Sequence, residues 1–264
     1  MRLAMDERGP LCVGIDPHLA LLAAWGLDDN PAGLERFCMT CVEALADRVA
    51  VLKPQSAFFE RHGSAGIAVL ERAIAASRQQ GALVLLDAKR GDIGSTMQGY
   101  ADAYLDCASP LAVDAVTVSP FLGFGSLRPM LDTAAANDAG VFVLALTSNA
   151  EGPQVQQARS GGFTVAGQLL AAIKRENVGA RPMGSVGAVV AANVREVEED
   201  LVINGPLLAP GFGAQGGSID DVRRIFAGVV DYALPTTSRA ILQVGPSIAS
   251  LRDAAQTTIA RLRQ

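Results

Sequence analysis

The chain has 264 residues, of which half are hydrophobic and 19% are charged, and its formal net charge is −5. This composition supplies a large core for one or two domains, and the acidic balance argues against nucleic-acid binding through phosphate neutralisation. The first residues lack the apolar core of a secretory signal, and no apolar run reaches the ~18 residues of a membrane span. We therefore expect a cytoplasmic protein that binds neither nucleic acid nor membrane.

Short apolar runs alternate along the chain with longer amphipathic stretches. The runs are almost continuously apolar, which is typical of strands covered on both faces. The sequence predicts strands at 11–16, 49–54, 82–87, 112–118, 140–147, 186–192, 206–211 and 232–237, and helices at 31–49, 64–81, 96–107, 126–140, 163–177, 193–202, 218–229 and 247–264. About eight strand–helix units in this length predict a single-domain (β/α)8 TIM barrel over residues 1–264. An open doubly wound sheet is the structural alternative.

The four cysteines occur at positions 12, 38, 41 and 107. Cys38 and Cys41 match the pattern C-x-x-C, but no second pair follows and no histidine has ligand spacing. The pair also lies inside a predicted helix. We interpret these cysteines as structural thiols and expect neither a metal site nor a redox centre.

Charged residues stand at the carboxyl ends of several predicted strands. Asp16 ends the first strand, Lys53 the second, Asp87 and Lys89 the third, and Arg239 closes the eighth. In a TIM barrel the chemistry takes place at this end of the strands. The placement therefore predicts an active site at the mouth of the barrel.

The third strand continues into the segment LLDAKRGDIGST, residues 85–96. Asp87 and Lys89 are two positions apart, so an extended backbone would point both side chains the same way. Together with Lys53 and the loop residue Asp92 they form alternating charges that compensate one another. Such an array keeps an ammonium group in place and protonated, and this group can stabilise a carbanion and protonate it. The alternative is an ion pair on the protein surface, worth about 0–1 kcal/mol. Lys53 and Asp16 also lie at the ends of strands, which argues against this alternative.

A glycine-rich segment, residues 210–217, follows the seventh strand and precedes a predicted helix. Glycines allow close backbone approach, and a helix N-terminus offers N–H groups to an anion. Barrels often bind phosphate between the loops after strands seven and eight, where Gln215 could donate an amide and Arg239 a bidentate fork. The segment also fits G-x-G-x-x-G, but too late in the chain for a dinucleotide-binding unit. We expect a phosphate site. His18 follows Asp16 and Pro17 and could face the active site, but we interpret it as an ordinary loop histidine.

Residues 87–96 resemble the signature of the orotidine 5′-phosphate decarboxylase family. The resemblance continues in the same order at 13–17, 52–60, 146–149, 210–217 and 238–239, so it spans nearly the whole chain. It is closest to the longer bacterial branch (type 2) of the family. The motif on the third strand is highly specific, whereas the glycine-rich segment alone is not.

The resemblance implies decarboxylation of orotidine 5′-monophosphate (OMP) to UMP, the last step of de novo pyrimidine synthesis, without metal or organic cofactor. It implies that Lys89 protonates C6 after CO2 leaves and that Asp87 lies beside the substrate carboxylate. It also implies that Lys53 and Asp16 contact the ribose.

The resemblance further implies a homodimer in which Asp92, Ile93 and Thr96 complete the site of the neighbouring subunit. The remaining substrate contacts that it implies are Ser148 to the pyrimidine, with Thr147 as a possible alternative, and Pro210, Gln215 and Arg239 around the phosphate end.

Two other functions are compatible with parts of this pattern. A sugar-phosphate decarboxylase or synthase of the same superfamily uses Asp-x-Lys-x-x-Asp with Mg²⁺, but those relatives carry a glutamate on strand two, where Lys53 would repel the cation. A non-catalytic nucleotide-phosphate binder on a degenerate barrel predicts gaps in the charge array, and the sequence has none.

Overall fold

Eight parallel strands form the centre of the molecule. The computed structural model describes residues 1–194, 196–213 and 216–264. The barrel strands are β1 (Cys12–Ile15), β2 (Val51–Pro54), β3 (Leu83–Arg90), β4 (Ala115–Val118), β5 (Gly140–Leu146), β8 (Val186–Val190), β9 (Leu207–Ala209) and β10 (Ala233–Thr237), and a hairpin of β6 (Arg159–Ser160) and β7 (Phe163–Thr164) follows β5. The barrel strands pair in this order and β10 returns to β1. The prediction of a single-domain TIM barrel is confirmed, and the open sheet is excluded.

Helices surround the barrel. They are α1 (Arg2–Arg8), α2 (Leu19–Ala24), α3 (Pro31–Leu45), α4 (Ala57–Glu60), α5 (Gly63–Gln79), α6 (Gly94–Leu105), α7 (Arg128–Ala136), α8 (Pro153–Gln156), α9 (Val165–Glu176), α10 (Ile219–Ile225), α11 (Arg239–Leu242) and α12 (Ile248–Leu262), with 3-10 turns at Phe124–Leu127 and Val230–Tyr232. Side-chain caps fix several starts: the oxygens of Asn30, Thr164 and Ser247 accept backbone N–H bonds at the first turns of α3, α9 and α12. Within the described part of the chain, none of these helices is long and apolar enough to cross a bilayer.

The prediction of a helix at 193–202 is wrong, since the described residues of this segment are almost all without regular secondary structure. A helix would stack Glu196 on Asp200, and like charges four positions apart repel. The acidic side chains instead bind neighbouring elements. Glu199 Oε1 accepts a hydrogen bond of 2.8 Å from Thr164 Oγ1, and Asp200 Oδ2 lies 2.8 Å from Lys174 Nζ.

The barrel interior is apolar at the bottom and polar at the mouth. Its lower part is a cluster that includes Cys12, Val51, Leu85, Phe142 and Leu234, and α1 contributes Met5 to it at the amino-terminal end. Because side chains alternate between the faces of a strand, the next inward positions lie nearer the mouth. These positions carry polar groups: Lys53 on β2, Asp87 on β3, Thr117 on β4 and Thr236 on β10, all buried.

Three of the four cysteines are buried free thiols, and Cys107 is exposed. Burial raises the pKa of Cys12 to about 12 and those of Cys38 and Cys41 well above the ordinary thiol range. These thiols stay protonated at neutral pH, which agrees with the interpretation of Cys38 and Cys41 as structural.

Candidate active site

A cavity of about 410 Å³ opens at the carboxyl-terminal mouth of the barrel, above the apolar cluster. Six residues that the sequence analysis singled out line it: Asp16, Lys53, Asp87, Lys89, Pro210 and Arg239. They are far apart in the chain. The parallel barrel brings them together because the carboxyl ends of all its strands meet at one rim.

The Asp87 carboxylate is the centre of the charged network. Its Oδ2 lies 2.9 Å from Lys53 Nζ, and its Oδ1 lies 2.5 Å from Lys89 Nζ. Thr117 Oγ1 donates a further bond of 2.9 Å to Oδ1. Each carboxylate oxygen thus faces one ammonium group, which satisfies the charge of a side chain that is largely withdrawn from water.

The same contacts determine the protonation states of the buried residues Asp87 and Lys53. Burial alone would raise the pKa of the Asp87 carboxyl, but the ammonium groups of Lys53 and Lys89 outweigh it and hold this pKa well below its usual range. Burial alone would also lower the pKa of Lys53, but Asp87 and Asp16 outweigh it and the pKa is raised. Both groups are therefore ionised at neutral pH.

Lys89 reaches Asp87 through a bulge and not through the regular strand that its spacing predicted. Strand β3 pairs with β4 at Leu86↔Val116 and again at Arg90↔Val118, so three residues of β3 lie opposite the single residue Thr117. Lys89 has a φ of 51°, in the left-handed region that non-glycine residues seldom adopt. The expected ion pair is present, but its geometry comes from this irregularity.

Asp16 presents an acceptor to the cavity. Its Oδ2 accepts a bond of 2.5 Å from Ser238 Oγ, whereas Oδ1 is buried and has no hydrogen-bond partner among the described residues. Gly14 allows this approach, since a Cβ there would stand 2.1 Å from Ser238 Oγ. A buried carboxylate oxygen without a donor is costly, and a ligand hydroxyl in the cavity would satisfy it.

The described residues of the glycine-rich segment are 210–213 and 216–217, and Pro210, Gly211 and Phe212 line the cavity. Gly211, Gly213 and Gly216 have φ values of 90°, 81° and 97°, which only glycine adopts easily. Backbone bonds from Gly213 N–H to Gly217 O and from Gly217 N–H to Gly211 O join the two described parts of the segment. Gln215, predicted to bind phosphate, lies outside the described residues.

The first turn of the helix after the glycine-rich segment carries acidic groups that would compete with an anion. Ser218 and Asp221 form a reciprocal capping box at the start of α10, and Asp220 adds a second carboxylate to the first turn. These groups occupy backbone donors and place negative charge there. Arg239, the first residue of α11, is exposed and lines the cavity, where its guanidinium could contact an anionic group.

Five predicted site residues do not line the cavity of this chain. Asp92 and Ile93 lie in the loop after β3, and Thr96 lies in the first turns of α6. Ile93 is 62% exposed, although it is a large aliphatic residue. The other two, Thr147 and Ser148, follow β5.

The structure distinguishes these two residues by their contacts. The Thr147 hydroxyl bonds to Asn149 Oδ1 and Gln156 Nε2, both at 2.6 Å, and its N–H donates to Gln156 Oε1. Thr147 is thus tied to α8, whereas Ser148 is exposed beside it. Of the two, Ser148 has the side chain that is not held by this network.

The cavity is also lined by residues that the sequence did not assign to the site. His18, interpreted as an ordinary loop residue, lines the cavity and packs edge-on against Phe58, with ring centroids 4.5 Å apart. Gln55 and Thr236 also line it. Their signal was positional: Gln55 lies two residues beyond Lys53, and Thr236 is a polar residue at an inward position of an apolar strand.

The fold and the charged mouth define a TIM-barrel enzyme. The model of the orotidine 5′-phosphate decarboxylase / HUMPS family matches residues 9–254. The chain belongs to this family.

Relatives and solved structures agree with this assignment. An orotidine 5′-phosphate decarboxylase of Nocardioides sp. is 63% identical over 92% of this chain and 90% of its own, and one of Salinispora arenicola is 61% identical over 98% and 94%. A crystal structure described as an orotidine 5′-phosphate decarboxylase from Streptomyces avermitilis superimposes with a TM-score of 0.97, at 56% identity, covering 99% of this chain and 93% of the other. The prediction of an enzyme of the carboxy-lyase class is confirmed.

Proposed function

We propose that this enzyme decarboxylates OMP to UMP with the charged network as its catalytic centre. The observation that carries the proposal is the Lys89 ammonium, held 2.5 Å from Asp87 Oδ1 at the mouth of a closed barrel. The opposite oxygen of Asp87 is held by Lys53 at 2.9 Å. The names of the most similar relatives support OMP as the substrate.

Lys89 is the group that meets the developing charge. When the bond between C6 and the carboxyl carbon breaks, CO2 leaves and the electron pair stays on C6 of the pyrimidine. A cation placed beforehand near C6 stabilises this carbanion more than it stabilises the substrate, which lowers the barrier. Lys89 then donates a proton to C6 to give UMP, and its amine regains a proton from water.

Asp87 has two roles in this proposal. It fixes the Lys89 ammonium through Oδ1, and it lies beside the place of the substrate carboxylate. Lys53 balances its charge from the other side, so the network stays ionised without the substrate. Lys53 and Asp16 also contact the ribose, for which Asp16 Oδ1 is an acceptor without a donor among the described residues.

The phosphate is bound away from the reacting carbon. Arg239 is the exposed cation at that side of the cavity, next to the turn that begins with Pro210 and Gly211. We assign Gln215 to the same phosphate and Ser148 to the pyrimidine on the family resemblance. Binding energy from the phosphate can serve to position C6 against Lys89.

The working enzyme in this proposal is a cytoplasmic homodimer. Asp92, Ile93 and Thr96 do not line the cavity of their own chain, and this supports their assignment to the neighbouring site. Like Ile93, the large apolar residues Phe121 and Leu122 in the loop after β4 are exposed, by 77% and 52%. Exposed apolar side chains of this size are typical of an interface, and four free thiols fit a reducing compartment.

The metal-dependent sugar-phosphate reaction has less support. Lys53 occupies the place where that chemistry needs a ligand, and this residue is 4% exposed and lies near two acids, Asp87 and Asp16. Among the residues that the structure describes, no group of three or more His, Cys, Asp and Glu side chains is placed to hold a metal ion.

One assay separates the candidate functions. The purified protein is mixed with OMP, and the loss of pyrimidine absorbance is followed with and without EDTA. We expect turnover at the same rate in both. Metal-dependent turnover of a sugar phosphate, or binding of UMP with no turnover of OMP, would refute the proposal.

A further inference from the structure

The hydroxyl of Thr117 has no part in the catalytic scheme above, yet it contacts both of its central residues. Thr117 is 1% exposed, on β4, one residue before the strand ends. Its Oγ1 donates to Asp87 Oδ1 at 2.9 Å and accepts from the backbone N–H of Lys89 at 3.0 Å. It does not line the cavity.

This contact lies at the irregular point of the barrel. Between the pairs Leu86↔Val116 and Arg90↔Val118, Thr117 alone faces three residues of β3. The extra residues remove regular ladder partners from β3. The Lys89 N–H, which would lack a partner at such a bulge, is satisfied by a side chain.

The backbone of Lys89 needs such support. Among the described residues, three non-glycine residues have positive φ: Lys89, Asp138 and Asn204. Aspartate and asparagine tolerate this region because their side chains bond locally, whereas lysine has no such compensation. A strained conformation persists where its surroundings fix it.

We propose that Thr117 is a positioning residue, whose hydroxyl locks the β3 bulge so that the Lys89 ammonium is held on Asp87. A hydroxyl can donate to the carboxylate and accept from the amide at the same time, which an aliphatic side chain of equal size cannot do. The catalytic part of this inference rests on the proposed function.

The first test compares three variants in the OMP assay. Thr117→Val keeps the volume and removes the hydroxyl, Thr117→Ser keeps the hydroxyl, and Thr258→Val makes the same change on α12, where the hydroxyl bonds to Ala254 O at 2.8 Å. We expect Thr117→Val to lower kcat on the order of 10- to 100-fold, as for a misplaced catalytic group. KM should change little, and Thr117→Ser and Thr258→Val should stay near the wild type.

The second test does not depend on activity. Amide hydrogen exchange of Lys89 is measured by NMR in the same folded variants. Exchange should be faster in Thr117→Val and unchanged in Thr117→Ser, because only the first loses the acceptor.

The outcomes that overturn the inference are specific. If Thr117→Val keeps the wild-type kcat, or if Thr117→Ser is impaired as much as Thr117→Val, the hydroxyl does not position Lys89. If the wild type does not turn over OMP, the proposed function fails, and unchanged Lys89 exchange in Thr117→Val would then separately refute the positioning role.

Discussion

At the scale of single residues, the charges of the site could be predicted and their geometry could not. Asp16, Lys53, Asp87 and Lys89 were found because a charge at the end of an apolar strand is conspicuous. The bulge at Lys89 has no comparable signal in the sequence, because it depends on how β3 pairs with β4. The orientation of His18 stayed open because one sequence does not tell which way a loop side chain points.

Asp87 and Lys89 differ in burial, and this predicts different costs of removing their side chains. Asp87→Ala leaves the Lys53 ammonium buried without its partner, so we expect a loss of about 3–5 kcal/mol in the free energy of unfolding. Lys89→Ala removes a side chain that is 45% exposed, and Asp87 keeps Lys53 and Thr117. Its cost should be only about 0–1 kcal/mol. Urea denaturation of both variants checks this order; equal losses would contradict it.

The lowered pKa of Asp87 predicts how stability depends on pH. A carboxyl whose pKa is lower when folded binds more protons unfolded, so its contribution is present above the unfolded value of about 3.9 and is lost as pH falls below it. The wild type should therefore lose stability more steeply below about pH 4 than Asp87→Asn does. Urea midpoints at a series of acid pH values measure this difference, and parallel curves would count against the ionised pair.

At the scale of elements, strands were predicted better than helices. Every predicted strand is present. Strands that are covered on both faces are almost continuously apolar, so short apolar runs identify them. The composition of residues 193–202 favours a helix, but the segment is not helical. Its residues Glu199 and Asp200 instead bond to Thr164 and Lys174. Those partners come from distant positions, so local pattern could not reveal them.

Strand β8 is packed so closely at Gly187 that a single added methyl group should lower the stability of the fold. A Cβ at Gly187 on β8 would lie 2.5 Å from Pro206 O and 2.7 Å from the Phe142 ring. We expect Gly187→Ala to cost about 1–3 kcal/mol through overpacking. Gly99→Ala on α6 is the control, since no atom lies within 4 Å, and it should be neutral or stabilising by up to about 1 kcal/mol. Urea unfolding of the two variants tests the contrast, and a stable Gly187→Ala would show that β8 and β9 can separate.

At the scale of the whole molecule, the alternation of apolar and amphipathic segments was enough to give the barrel. It was not enough to predict an assembly, because exposed apolar residues such as Ile93 and Phe121 do not by themselves identify a partner. The dimer stays a prediction from the resemblance to the family, and in this chain Asp92 does not line the cavity.

The shared site can be tested by mixing two inactive proteins. In a dimer of Lys89→Ala with Asp92→Ala, one site carries both defects and the other carries none. Random exchange makes half the dimers mixed, so activity should return to roughly a quarter of the wild-type level. Each variant alone is the control. If subunits exchange and no activity appears, Asp92 does not serve the neighbouring site.

The most direct measurement for the central claim is the turnover of OMP by Lys89→Ala, with Lys174→Ala, which breaks an exposed ion pair with Asp200, as the matched control. The Lys89 ammonium is assigned both the stabilisation of the carbanion and its protonation, so kcat/KM should fall by at least about 10⁴-fold. Binding of UMP, measured by calorimetry, and the unfolding midpoint should stay close to those of Lys174→Ala. Turnover by folded Lys89→Ala near the wild-type rate would contradict the account.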